Sequence, residues 1–431
     1  MDTVRQAAGT SLSETESEVL SALDRDGLLE RLRQLIALDS SGGNESPAQE
    51  WMAALMAESG LEVDAWEIDL EALRRDPWYS AEVERDRALG VVGRLGPGSF
   101  REPGPGPTLV LNGHVDVVPA GEPRLWSVPP FEATVRDGRV YGRGAADMKG
   151  GLLCSVFALR AIQSVGAAIP GTVLVQSVAG EEDGGLGTLA AIRRGHTGDA
   201  GIVMEPTRFV LAPAHAGAIN FRITVPGLAA HGALRGEGVD PIDRLIPVYR
   251  ALQKLEGRRN ARPRHPLFAD LALPYALSVG TIRGGVWASS VPESVTIEGR
   301  LGIAPEEAFS AARQELEDAV ADAARRDPWL RDHPPVVEWW GGEFEPAVTA
   351  GDHPVVTAVR DAHASVVGAP PAVRGMPYGA DMRLLVSSGT PTVLYGPGDV
   401  RRAHAPDEYV EIAELEQAMK VLALTILRFG A

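Results

Sequence analysis

A histidine and an aspartate two residues apart, His114 and Asp116, close the apolar run "LVLNGHVDVV" at 109–118. Ionisable side chains at the end of what reads as a buried strand need partners. The chain supplies them in similar settings: Asp147 in "YGRGAADMKGG", Glu181 and Glu182 in "AGEEDGG", Glu205 in "MEPT" and His404 in "RRAHAPDEY". Two imidazoles and several carboxylates without a cysteine suit zinc, cobalt or manganese, and do not resemble an iron–sulfur or haem set. Two divalent cations bring four positive charges; Asp147, Glu182 and Glu205 bring three negative ones, and a hydroxide held between the ions makes the centre neutral. Asp147 is the candidate bridge, because its glycine-flanked turn lets backbone crowd two ions. Residues two apart in an extended segment face the same way, so the Asp116 carboxylate is expected to accept the free N–H of His114 and aim the ring. The neighbours Glu181 and Glu182 cannot easily point at one spot. One of them can ligate while the other shuttles a proton, which is the equipment of a hydrolase.

These residues must be carried to one place by the elements around them. From Thr108 onward short apolar runs, "TLVLNGH", "GTVLVQSVAGEE" and "AGIVMEP", alternate with helical patterns such as "GGLLCSVFALRAIQS", as in a mostly parallel sheet covered by helices. Each run has an acidic residue or histidine at its C-terminal end, the edge where open α/β sheets form their sites. Ahead of them lie two helical patterns, "DGLLERLRQLIALDS" and "SPAQEWMAALMAESG", the second opened by serine and proline as an N-terminal cap, and a polar, irregular excursion at "LRRDPWYSAEVERDR". After about Pro213 the order changes to strand, helix, strand, strand, helix, strand, which suggests a small α+β module of the split βαβ type, inserted into the sheet domain. The expected division is a catalytic domain at 1–212 and 342–431 and a second domain at 213–341.

In order and approximate spacing, "LVLNGHVDVVP", "YGRGAADMKGG", "VAGEEDGGLGT", "MEPT" and "YGPGDVRRAHAPDEY" resemble the dimetal amidohydrolases that include acetylornithine deacetylase, succinyl-diaminopimelate desuccinylase, aminoacylase and carboxypeptidase G. The acetylornithine deacetylase-like branch is the nearest in pattern. The resemblance implies an α/β catalytic domain with an inserted ferredoxin-like lid and dimerisation domain. It implies His114 and Glu205 on one metal, Glu182 and His404 on the other, Asp147 between them, and Glu181 as general acid and base. It further implies zinc as the metal, with cobalt or manganese as alternatives, a cis peptide at Asp147–Met148, and a homodimer in which His231 of "GLAAHGALRGEGVDPI" reaches the partner's centre to stabilise an oxyanion. Ser289, Gly379 and Gly396 fall at substrate-binding positions. Where relatives carry an arginine for the substrate carboxylate this chain has Gly302, and Arg300, two residues earlier on the same strand face, is the candidate substitute.

Composition narrows the alternatives. A net charge of −17 opposes general attraction to nucleic acid or an anionic membrane, and a single cysteine, Cys154, excludes an internal disulfide framework. The opening "MDTVRQAAGTSLSETESEVL" lacks the basic flank and apolar core of a secretory signal, and the reading is a cytoplasmic protein without membrane spans. His196, His265, His333, His353 and His363 read as ordinary solvated or hydrogen-bonded residues, Cys154 as core packing, and "GRRNARPRHP" as a solvated basic loop. Neither a "GxSxG" elbow nor a "GxxxxGK" phosphate loop occurs. The leading expectation is a metal-dependent hydrolase of an N-acyl amino acid or related small amide. A dipeptidase or carboxypeptidase on the same centre is the near alternative, and a catalytically silent binding relative the distant one.

Overall fold

Runs of aliphatic and β-branched residues, closed by glycine or polar residues, form the strands of a central sheet in the computed structural model, which describes residues 12–262 and 264–430. The start of the polar leader and Pro263 of the basic loop lie outside the described residues. In chain order the strands used below are β1 (Glu62–Glu67), β2 (Leu89–Leu95), β3 (Thr108–His114), β4 (Thr172–Val178), β5 (Ala200–Val203), β6 (Gly217–Pro226), β7 (Leu277–Gly284), β8 (Ser294–Ile303), β9 (Val336–Phe344) and β10 (Thr392–Leu394).

The described residues fall into two compact units, one within Met1–Pro213, Val348–Arg374 and Ala380–Ala431, the other within Ala214–Ala347 and Gly375–Gly379. The first holds a six-stranded sheet in the order β1-β2-β4-β3-β5-β10. Strand β3 pairs in parallel with β4 and β5, β5 in parallel with β10, and β2 runs antiparallel to β1 and β4. Every residue of β4 is buried, as expected for a strand covered on both faces. The helix Gly150–Ser164 packs against this sheet with a nearly continuous apolar surface. Cys154 lies within it, fully buried, where desolvation pushes its thiol up and away from reactivity.

The second unit is a four-stranded antiparallel sheet, β7-β8-β6-β9, with the helices Pro241–Asn260 and Phe309–Arg325. The alternation expected of a half-buried sheet is clear in β6: Phe221, Ile223 and Val225 are buried and pack with Val248 and Leu252 of one helix and Leu316 and Val320 of the other. The order of elements is that of the split βαβ module. Its end lies beyond the expected residue 341, because β9 runs on through Gly341 and Gly342 to Phe344. A register shift between Trp340 and Glu343 absorbs the glycine pair. No helix among the described residues is long and apolar enough to cross a membrane.

Candidate metal centre

His114 is the last residue of β3, Glu181 and Glu182 follow β4, and Glu205 follows β5, so three neighbouring strands deliver their polar residues to one edge of the sheet. Asp147 sits in the turn Ala145–Lys149 that leads into the helix Gly150–Ser164, and the Asp147–Met148 peptide is cis. His404 comes from the loop after β10 and adopts a positive φ of 59°.

Ligand atoms of His114, Asp147 and Glu205 lie within 4.8 Å of one another, and so do those of Asp147, Glu182 and His404. Asp147 therefore belongs to both groups. His114 Nε2 is 3.3 Å from Asp147 Oδ1, and His404 Nε2 is 2.9 Å from Glu182 Oε2 and 3.7 Å from Asp147 Oδ2. The electrostatics of the cluster fit two divalent cations. Burial pushes the carboxyls of Glu182 and Glu205 up, and the negative charge of Asp147 adds to it in both. Burial also opposes ionisation of Asp147, but the hydrogen bond and charge of His114 outweigh it and the net direction is down. The Glu182 carboxylate raises the exposed His404 imidazole to about 9. Convergent oxygens held at this separation are mutually repulsive until cations stand among them.

Glu181 belongs to neither triad. It is buried, and its Oε1 finds no hydrogen-bond partner among the described residues. Burial, then the charges of Glu205 and Asp381, push its carboxyl well above the usual carboxylate range.

The role expected of Asp116 changes. His114 Nδ1 donates to the main-chain oxygen of Asp116 at 2.8 Å, while the carboxylate Oδ1 stands 3.6 Å away. The carboxylate instead accepts the N–H of Glu182 through Oδ2 at 3.0 Å. The peptide carbonyl of the extended segment thus aims the imidazole and leaves Nε2 toward Asp147, and the side chain holds the acidic turn. Asp116→Ala is expected to weaken metal affinity or turnover about 10- to 100-fold, as loss of a group that orients a ligand does. Calorimetric titration of metal into the variant measures this. Wild-type affinity together with wild-type turnover contradicts it.

Several buried residues that the sequence reading passed over complete the centre. Glu408 Oε1 accepts the N–H groups of Ala146 and Asp147 at 3.0 and 3.1 Å, and its other oxygen pairs with buried Arg143 at 2.6 Å. Lys149 Nζ donates to the carbonyls of Leu35 and Leu38, tying the turn to the end of the helix Arg25–Ile36; burial lowers its pKa to about 7. Asp381 is fully buried, raised to about 6 by burial, and Arg383 Nη2 donates to the carbonyl of Gly184 at 2.8 Å. At Gly396, one of the expected substrate-binding positions, a Cβ would meet the carbonyl oxygens of Met204 and Glu205 at 2.5 and 2.6 Å. Glycine there lets the chain pass directly over the strand end that presents Glu205.

The remaining candidates lie in the second unit. His231 and Ser289 are brought together: His231 pairs in register with Ser290, Gly232 N–H donates to the Ser289 carbonyl at 2.7 Å, and both side chains are exposed. Arg300 Nη2 donates to the Pro377 carbonyl at 3.2 Å. A side chain at Gly302 would begin 2.8 Å from the Tyr275 backbone, so no arginine fits there. Gly379 is packed on Phe344, whose Cβ would lie 2.4 Å from an added Cβ.

The family model described as "Peptidase family M20/M25/M40" matches residues 110–428. The chain belongs to this family. Among its relatives, the N-formyl-4-amino-5-aminomethyl-2-methylpyrimidine deformylase of Halalkalibacterium halodurans is 29% identical over 428 residues, covering 94% of this chain and 95% of that protein. A probable succinyl-diaminopimelate desuccinylase of Staphylococcus aureus is 26% identical, covering 89% and 92%. The fold matches that of the dipeptidase Dug1p from Saccharomyces cerevisiae with a TM-score of 0.78 at 16% identity, covering 97% of this chain and 99% of that one.

Proposed function

We propose that this protein of the M20/M25/M40 family is a two-metal hydrolase that cleaves the amide of an N-acyl amino acid or a related small amide. The observation that carries the reading is one aspartate, Asp147, shared by two ligand triads, with the unpaired carboxylate oxygen of Glu181 on the adjoining turn.

In this reading His114, Glu205 and Asp147 would hold one ion and Glu182, His404 and Asp147 the other, and zinc is the metal expected there. Divalent ions there would supply Lewis acidity toward the scissile carbonyl and would acidify water. Glu181 takes the proton of the attacking water on a carboxylate oxygen and returns it to the departing amine. Asp116 and Glu408 keep the acidic turn and the bridging aspartate in place through main-chain N–H groups. His231 of the partner subunit donates to the developing oxyanion, in a homodimer formed through the second unit.

The deformylase and desuccinylase among the relatives support acyl groups on a primary amine as substrates. The absence of space for an arginine at Gly302 leaves Arg300 as the candidate anchor for a substrate carboxylate. The deciding experiment is release of primary amine from formyl, acetyl and succinyl amides, each with and without an α-carboxylate, alongside dipeptides, on zinc- and cobalt-loaded protein. Cleavage of the acyl amides in preference to dipeptides is the expected result. Preference for dipeptides replaces the deacylase reading with a dipeptidase, and no cleavage of any amide by fully loaded protein removes both.

A further inference from the structure

The irregular excursion that precedes β2 turns out to end on the acidic turn. Arg85, in "SAEVERDR", is buried and uses all five of its N–H donors. Nε and Nη2 bond Glu45 at 3.1 and 2.8 Å, Nη1 and Nη2 bond Asp183 at 2.9 Å each, and Nη1 also bonds the Val83 carbonyl at 3.0 Å. Asp183 directly follows Glu182. Its carboxylate also accepts the Val83 N–H at 2.7 Å, and its carbonyl accepts the Glu82 N–H at 2.9 Å. Glu45 occupies the N-cap position of the helix Ser46–Glu58 yet makes no side-chain capping bond; its carboxylate serves Arg85 instead. Both Glu45 and Arg85 lie ahead of the stretch matched by the family model, which begins at 110.

From this geometry we infer that Arg85 is a positioning residue, acting through Asp183 to set where Glu181 and Glu182 stand. A planar guanidinium gripped on two edges by two buried carboxylates has no freedom to swing, so it fixes the plane of the Asp183 carboxylate. The turn is short and held at its other points as well: Asp116 takes the Glu182 N–H and Arg383 takes the Gly184 carbonyl. A shift of Asp183 is therefore passed to Glu181 and Glu182 with no loop between to absorb it. The inference rests on the amide-hydrolase reading for its kinetic arm only.

The test compares Arg85→Lys with Arg87→Lys, whose arginine makes an exposed pair with Glu50 two residues along. Lysine keeps the charge and loses the fork. For Arg85→Lys the expected result is a fall in kcat of roughly 100-fold, the size that small misplacement of catalytic groups produces, with KM unchanged and an altered visible absorption of the cobalt-loaded protein. Arg87→Lys changes neither. Should Arg85→Lys not fold, Asp183→Asn, which removes the anionic partner of the fork on the turn itself, carries the same expectation. Activity lost only in proportion to folded protein, or a wild-type cobalt spectrum in folded Arg85→Lys and Asp183→Asn, overturns the positioning role. If the wild type cleaves no amide the functional reading falls, and the cobalt spectra still decide the role of Arg85.

Discussion

Glu181→Gln is expected to lower kcat about 10²- to 10⁴-fold, the usual contribution of a positioned general acid and base, while the protein still takes up two divalent ions per chain. The expectation follows from the separation of duties between adjacent residues. Glu182 stands within ligand distance of His404 and Asp147, whereas Glu181 is absent from both triads. Glutamine keeps the shape and burial of the side chain and cannot accept and return a proton. The neighbouring Glu182→Gln should differ in kind, losing an ion as well as activity. Amine release together with metal content per chain distinguishes the two. A Glu181→Gln protein with wild-type turnover, or one that has lost an ion, shows that the roles of the pair are assigned the wrong way round.

Asp147→Asn is expected to bring turnover down to that of metal-stripped protein and to reduce uptake below two ions per chain. Asp147 alone is common to both triads, so on the proposed reading its loss would take a carboxylate from both ion sites at once. The fall in affinity should exceed the roughly 10- to 100-fold expected of a residue that only orients a ligand, such as Asp116. The backbone beneath it should survive, because Glu408 holds the Ala146 and Asp147 N–H groups independently of the Asp147 side chain. Circular dichroism checks the fold, and inductively coupled plasma analysis the metal content. An Asp147→Asn protein that retains two tightly held ions contradicts the bridge.

How much of this the sequence carried depends on whether a signal is local. His114, Glu181, Glu182 and Glu205 follow apolar runs that can only be buried strands, so their place at one sheet edge was legible. The βαββαβ order of the second unit was legible for the same reason: each of its runs is long and periodic enough to name its own element. The bond of Asp116 to His114 is not legible in the sequence, because whether a carboxylate or its own carbonyl meets a ring two residues away depends on a side-chain rotamer. Arg383, Glu408 and Arg85 carry no such local mark. Each becomes meaningful only through a partner far along the chain: Gly184 for Arg383, the turn of Asp147 for Glu408, and Asp183 for Arg85. Charged residues in irregular segments are usually solvated, and these are the exceptions that folding buries. The glycine pair in β9 is accommodated by a register shift that becomes visible only against its partner strand.

On the proposed reading, two divalent cations held by His114, Asp147, Glu182, Glu205 and His404 would be required for hydrolysis of the amide. Stepwise return of zinc or cobalt to chelator-stripped protein, with amine release and bound metal measured on the same samples, tests it most directly. No turnover is expected without metal, and full turnover once two ions are bound per chain. Amide hydrolysis that persists after the metal is stripped, or protein that binds two ions at these residues and cleaves no amide, would contradict it.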